Sequence, residues 1–217
     1  MNGATESTDG TTERPANLPD VQGAWRRDVR RFGDGPAEEV SDVLWLQVGR
    51  HFCDLRTALP GRKVTETLDL PQAFAGVVEV SAGAITFHHD LDSLGRDPSH
   101  PDVSTVHRVG EVMYERGPGF EERWVLGSLP SDPVAGAELW SGGSVLARIV
   151  RVGGVALAVW GGRIPGGAQY AARHGWEPER ASYRERTFAL DTDAAVAALV
   201  GAGAFPAGWV ALDPIGA

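Results

Sequence analysis

Two apolar-rich runs flank Gly49-Arg50 in the stretch DVLWLQVGRHFCDLR, residues 42–56, and this pattern commits the chain to antiparallel pairing. Glycine accepts positive φ at little cost, so a two-residue connection here closes a tight hairpin. Cross-strand partners share a face. Val48 then meets His51, Leu46 meets Cys53 and Leu44 meets Leu55, a face that is almost wholly apolar. On the other face Gln47 meets Phe52, Trp45 meets Asp54 and Val43 meets Arg56. Two charges therefore share a face with two large aromatic rings.

Similar runs recur along the chain, separated by Gly-containing turns, the pattern of a β-barrel or sandwich. Strands are predicted over 24–31, 43–48, 51–57, 74–80, 84–89, 111–116, 120–126, 146–152, 155–162 and 183–190. Further hairpins are expected at Ala82-Gly83, Gly117-Pro118-Gly119 and Gly153-Gly154. They pair Glu79 with Thr86, Val77 with His88, Tyr114 with Glu122, Val112 with Trp124, Ile149 with Ala158 and Ala147 with Trp160. The late segment DTDAAVAALVGAG predicts a helix over 193–202, capped by Asp191 or Thr192 and ended by glycine. The expected fold is all-β, one antiparallel barrel built from the ten strands, with the helix outside it or across one end. Residues 1–20 are polar and poor in aliphatic side chains, and read as a disordered arm ahead of a barrel domain over 21–217.

A net charge of −9 and a pI near 5.1 argue against a general nucleic-acid binder. The local cluster RRDVRR (26–31) reads as the solvated side of a strand. The single cysteine, Cys53, excludes an intrachain disulfide and a Cys-rich metal site, which fits a reducing cytoplasm. On the apolar hairpin face it reads as a small buried hydrophobe. No apolar run is long enough for a membrane span, and the N-terminus does not read as a secretory signal.

Aromatic rings, small residues and a few charges on successive strands suit the lining of a ligand cavity. Trp45, Gln47, Phe52, His88, Trp124 and Trp160 are the candidate ligand-binding residues. Asp54 and Arg56 lie two apart on one strand, so they either orient a polar group of a ligand or form a structural ion pair. Glu122, set against Tyr114 and Trp124, is the candidate general acid/base, because apolar walls raise a carboxyl pKa toward neutrality. Its plainer reading is a surface glutamate.

The stretch FHHDLD (87–92) puts His88, Asp90 and Asp92 on one face, but no second cluster completes a metal site, so no metal is assigned. VGGVALAVWGGRIPGG lacks the Lys-Ser/Thr of a phosphate-binding loop and reads as a turn and strand exit. No cofactor is implied, and nothing singles out a haem ligand among six histidines. The connection over 90–107 is long enough to cover a barrel mouth, with Asp97 and His100 in reach of a ligand if it folds inward.

The order WLQVGRHFCDLR, AFAG, GEVMYERGPGFEERW and ALAVWGGRI resembles the fungal Hri proteins and their bacterial relatives. The likeness covers residues 23–164. It implies a lipocalin-like barrel of the calycin type, a family without one established activity. Together these features predict a barrel that binds a small apolar or aromatic molecule and performs cofactor-independent lyase, isomerase or cyclase chemistry on it. Glu122 would be its acid/base, Tyr114 a hydrogen-bond partner, and Asp54 with Arg56 would orient the substrate. A carrier or sensor would use the same cavity without convergent acids, and a protein-interaction module would have a filled barrel and an exposed apolar patch.

Overall fold

The computed structural model describes residues 14–59, 72–128, 133–161, 170–177, 182–183, 192–201 and 204–213. In chain order the strands are β1 (Arg14–Pro15), β2 (Gly23–Phe32), β3 (Ser41–Val48), β4 (His51–Ala58) and β5 (Gln72–Ser81). Next come β6 (Ala84–Asp92), β7 (Asp102–Val109), β8 (Val112–Gly117), β9 (Phe120–Ser128) and β10 (Val134–Ser141). The last are β11 (Ser144–Val152), β12 (Val155–Trp160), β13 (Tyr170–Glu177), β14 (Ser182–Tyr183) and β15 (Trp209–Ala211). A short 3-10 helix covers Leu18–Val21, and one α-helix, α1 (Thr192–Gly201), precedes β15.

From β2 to β9 each strand pairs antiparallel with the next, and β9 returns to β2. The fold is thus an all-β, lipocalin-like antiparallel barrel of eight strands, with one C-terminal helix. Alternation sends Trp25, Trp45, Phe52, Phe74, Ile85, Met113 and Trp124 into its interior. It sends Leu44, Leu46, Val48, Cys53, Ala75 and Leu91 to the outside. Each large aliphatic side chain is worth roughly 1.5–3 kcal/mol when covered, so such a face is not left in water. Val145, Val150, Val152, Leu157 and Val159 of a second sheet, ordered β14-β13-β12-β11-β10-β15, cover it. On that sheet's far side Ala147, Ile149, Ala158 and Trp160 pack under Ala195 and Leu199 of α1.

The ten-strand barrel expected from the sequence therefore divides in two. The hairpin at Gly153-Gly154 keeps its predicted pairing, Ile149 with Ala158 and Ala147 with Trp160, but it belongs to the second sheet. Strands β7, β10 and β13 fall where the alternation predicts none. In β7 the interior positions are Ser104 and Val106 while Val103 is exposed, so polarity and burial are out of step. The connection expected over 90–107 shrinks to 93–101 accordingly. Of the strand expected over 183–190, only Tyr183 is among the described residues, as part of β14.

The N-terminal boundary also moves. Arg14 and Pro15 pair with β7, and Ala16 and Val21 are fully buried in the barrel core. The 3-10 helix closes the end where the turns at Gly49-Arg50, Ala82-Gly83 and Gly110-Glu111 meet. Gln22 Nε2 donates to Leu18 O (3.0 Å) and Gly49 O (2.8 Å). Trp25 Nε1 donates to Val21 O (2.8 Å), Arg108 Nη1 to Asp20 O (2.8 Å), and the Arg108 guanidinium lies 5.3 Å from the Trp25 ring centre. Deleting the chain through Val21 uncovers that core and orphans the Trp25 indole. The expected loss is about 3 kcal/mol, or roughly 6–12 °C in melting temperature. Scanning calorimetry on the truncated protein checks it, and an unchanged melting temperature refutes the plug.

Candidate functional site

Opposite the plug, the barrel opens into a cavity of ≈ 350 Å³. Trp45, Phe52, Phe74, Phe87 and Trp124 supply its apolar lining. Trp45, Phe52, Phe87 and Trp124 form a continuous edge-to-face array: Trp45–Trp124 5.5 Å, Trp45–Phe87 5.4 Å and Phe52–Phe87 5.3 Å between ring centres. Such contacts are preferred over face-to-face stacking because the ring edge is positive and the face negative. The array forms the apolar part of the cavity wall, and Arg30, Asp54, Arg56, Glu115 and Glu122 supply its charged part.

A β-bulge opposite Arg123 sets the first charges. Arg27 pairs with Trp124 and Val29 with Arg123, which leaves Asp28 as the extra residue. Without it Arg27 and Val29 would share a face; with it Arg27 and Arg30 both turn inward. The cluster RRDVRR is consequently not a uniformly solvated face, since Arg27 is buried and Arg30 lines the cavity. Arg27 spends its donors on Glu39 Oε2 (2.7 Å), Glu39 Oε1 (3.2 Å), Ser41 Oγ (2.9 Å) and Glu122 Oε1 (2.6 Å). Burial acts to raise the Glu39 pKa, but the Arg27 guanidinium outweighs it and holds this carboxyl below its ordinary value. Glu122, also 3.1 Å from Arg30 Nε, is thereby fixed inside the barrel rather than on its surface.

The β8–β9 hairpin corrects the assignment of Tyr114. Its turn is the two-residue Pro118-Gly119, with Gly119 at φ +80°, and Gly117 pairs with Phe120. Counting Gly117 into the turn, as its turn-forming chemistry suggests, slips the register by one and exchanges the faces. Tyr114 instead pairs with Arg123 on the outside, half-exposed and stacked on His107 at 4.9 Å. The residue facing Glu122 is Glu115. It is buried, accepts Trp124 Nε1 at Oε2 (3.1 Å), and is hydrogen-bonded to the Ser104 side chain. Among the described residues no cation lies within ion-pair distance of it. Burial, and then the neighbouring Glu122 charge, push its pKa up to about 8. An unbroken alternation through residues 112–117 with the shorter turn would have found it.

Asp54 and Arg56 both line the cavity, and Arg56 Nε donates to Asp54 Oδ1 (2.9 Å). Burial works against the charged form of Arg56, but Asp54, Glu122 and Glu115 around it reverse the balance and raise its pKa. Arg96, from the connection over 93–101, donates to Asp92 Oδ2 (2.8 Å) and Asp102 Oδ2 (2.6 Å) and contacts His89 Nδ1 (3.1 Å). That connection does cover part of the mouth, through Arg96 and Pro101. Asp97 and His100 remain exposed beside each other.

The other expected ligand residues stand elsewhere. Gln47 is buried at the closed end, accepting Trp45 Nε1 (3.0 Å) and donating to Gly49 O (2.8 Å). Trp160 lies under α1 on the far side of the second sheet, so it does not reach the cavity. His88 faces out toward Glu79. A second bulge, opposite Ala75 and Gly76, explains its neighbours: Gly76 pairs with His89 and Ala75 with Leu91, leaving Asp90 extra. A Cβ on Gly76 would sit 1.8 Å from His88 O, so this crossing requires glycine. His88 and Asp90 end up outside, with Asp90 on Arg148 Nη2 (2.6 Å), while Asp92 turns inward. The three do not converge, and no His, Cys, Asp and Glu cluster suited to a metal occurs among the described residues. Cys53 is buried under the second sheet, its pKa pushed up to about 12 by burial.

Because the Glu115 pKa rises on folding, the folded state holds this proton more tightly than the unfolded chain does. Its contribution to stability therefore falls as pH climbs from about 4.5 toward about 8. Glu115→Gln removes the ionisation. It should melt above the parent protein near pH 8, with the gap closing near pH 5. Equal melting curves at both pH values would show that Glu115 is not buried as a neutral acid.

No protein-family model matches the chain, and no curated protein matches it. Among solved structures the fold is similar to that of YLR301w, an uncharacterized protein from Saccharomyces cerevisiae. The TM-score is 0.57 over 74% of this chain and 82% of that one, at 15% sequence identity. At that identity the likeness carries the barrel fold and no chemistry.

Proposed function

We propose that the barrel binds a small apolar or aromatic metabolite and moves a proton on it, as a cofactor-independent lyase, isomerase or cyclase. The observation that carries this reading is the cross-strand pair of Glu115 and Glu122 in an aromatic-lined cavity. Their surroundings differ: Glu122 is ion-paired to Arg27 and Arg30, whereas Glu115 sits among Trp124, Ser104 and Glu122 with its pKa raised. Two acids with contrasting environments are the means by which one site both gives and takes protons near neutral pH. Glu115 takes the acid/base role, Glu122 sets its pKa, and Asp54 with Arg56 orients the substrate. The stretches WLQVGRHFCDLR and GEVMYERGPGFEERW support kinship with the Hri-type proteins, and a single buried thiol suits the reducing cytoplasm.

A generic carbon acid tests the chemistry without knowledge of the natural substrate. In nitrobenzisoxazole a base removes the ring C–H proton, the C–H electrons form the nitrile, and the N–O bond breaks to give a coloured cyanophenolate. Ionised Glu115 is the expected base, so turnover should rise with pH toward a plateau above about 8. It should exceed the acetate-catalysed rate by roughly a hundredfold or more, and Glu115→Gln should abolish the excess. Binding of the probe with no rate above acetate would refute catalysis and leave a carrier.

A further inference from the structure

The cavity's hydrogen-bonding donors are not evenly spent. Arg27 uses every guanidinium nitrogen on Glu39, Ser41 and Glu122, and Arg96 is engaged by Asp92, Asp102 and His89. Arg56 and Arg30 differ. Arg56 commits only Nε, to Asp54, and among the described residues its Nη1 and Nη2 have no hydrogen-bond partner. The Arg56 guanidinium lies 4.9 Å from the Phe74 ring centre, on the cavity wall. Arg30 Nε is buried without a hydrogen bond, although Glu122 Oε1 is 3.1 Å away as a charge partner. Arg30 lies 3.9 Å from the Phe32 ring centre and also lines the cavity.

The acids show the opposite condition. Glu122 is taken by Arg27 and Arg30, Asp54 by Arg56, and Asp102 by Arg96. Glu115 carries its proton at neutral pH. A cationic ligand would meet no unpaired carboxylate, and a purely apolar one would strip water from guanidinium donors and return nothing to them.

We propose that the ligand carries an oxyanion, a carboxylate or phosphate on a flat apolar body, and that the unspent donors of Arg56 and Arg30 receive it. This rests on the cavity being the binding site argued above, and names the class of molecule that enters. The body lies among Phe52, Phe74, Phe87 and Trp124. A volume of ≈ 350 Å³ holds roughly a dozen water-sized groups, which suits an acid of one or two rings. Burial holds the Arg30 pKa down at about 10, with repulsion from Arg27 and Arg56 adding to it against the pull of Glu122. An oxyanion between Arg30 and Arg56 relieves their repulsion, and a planar guanidinium meets it with two parallel donors.

The test is calorimetric titration of the full-length protein with indoleacetate, phenyl phosphate, indoleacetamide and tryptamine. Indoleacetate should bind roughly tenfold or more tightly than its neutral amide, and tryptamine least of all. Phenyl phosphate binding more tightly than indoleacetate would support the proposal and identify phosphate as the head. Arg56→Gln should erase the preference for acid over amide while amide binding persists. Because that variant leaves Asp54 unpaired, Asp54→Asn with Arg56→Gln serves as a second, charge-balanced version and should lose the same preference. Amide binding as tight as acid, or amine tighter than both, overturns the oxyanion assignment and spares the binding site. If none of the four binds, the binding-site reading itself falls.

Discussion

Closing eight strands into a barrel encloses a space that side chains must fill or leave open, and every other feature of this protein follows from how that is done. The closed half is filled by Trp25, Trp45, Met113, Ile85 and Val106, and sealed by Ala16 and Val21. The other half is not filled. Its inward positions fall to Arg30, Asp54, Arg56, Glu115 and Glu122, side chains that need water or partners and cannot pack as a dry core. A cavity at that end is the direct result.

Holding so many charges inside a barrel is costly unless nearly all are paired. The pairing here is asymmetric. Arg27 is wholly internal to the scaffold, clamping Glu39 and Glu122 together, and it is this clamp that commits Glu122 to the interior. With Glu122 fixed, Glu115 across the ladder faces a carboxylate, and both burial and that charge keep its proton on. Arg56 is held by Asp54 through one nitrogen and presents the rest to the opening. Arg56 and Arg30 thus keep guanidinium donors without a hydrogen bond where they line the cavity. The second sheet plays a separate part, covering the apolar outer face of the barrel, and among the described residues none of its side chains lines the cavity.

Much of this was legible in the sequence where backbone geometry stayed regular. The two-residue turn at Gly49-Arg50 fixes every partner from Val48–His51 to Val43–Arg56, and from that register Trp45, Phe52, Asp54 and Arg56 follow as inward residues. Irregularity hid the rest. The extra residues Asp28 and Asp90 change which side chains face in, and nothing in their identity announces a bulge. At the other hairpin, three residues of turn chemistry, Gly117-Pro118-Gly119, concealed a two-residue turn, and one position of slip exchanged Glu115 for Tyr114. Trp160 was paired correctly but assigned to the wrong sheet, because local pairing does not say which layer a hairpin joins.

The central claim is that the open half of the barrel takes a flat acid onto its aromatic array. Crystals soaked in para-iodobenzoate and measured for the iodine anomalous signal test it directly. The account predicts an iodine peak inside the barrel between Trp124 and Phe52, with the carboxylate on the Nη atoms of Arg56. Iodine bound only at the outer surface, with the barrel interior free of it, would contradict the account.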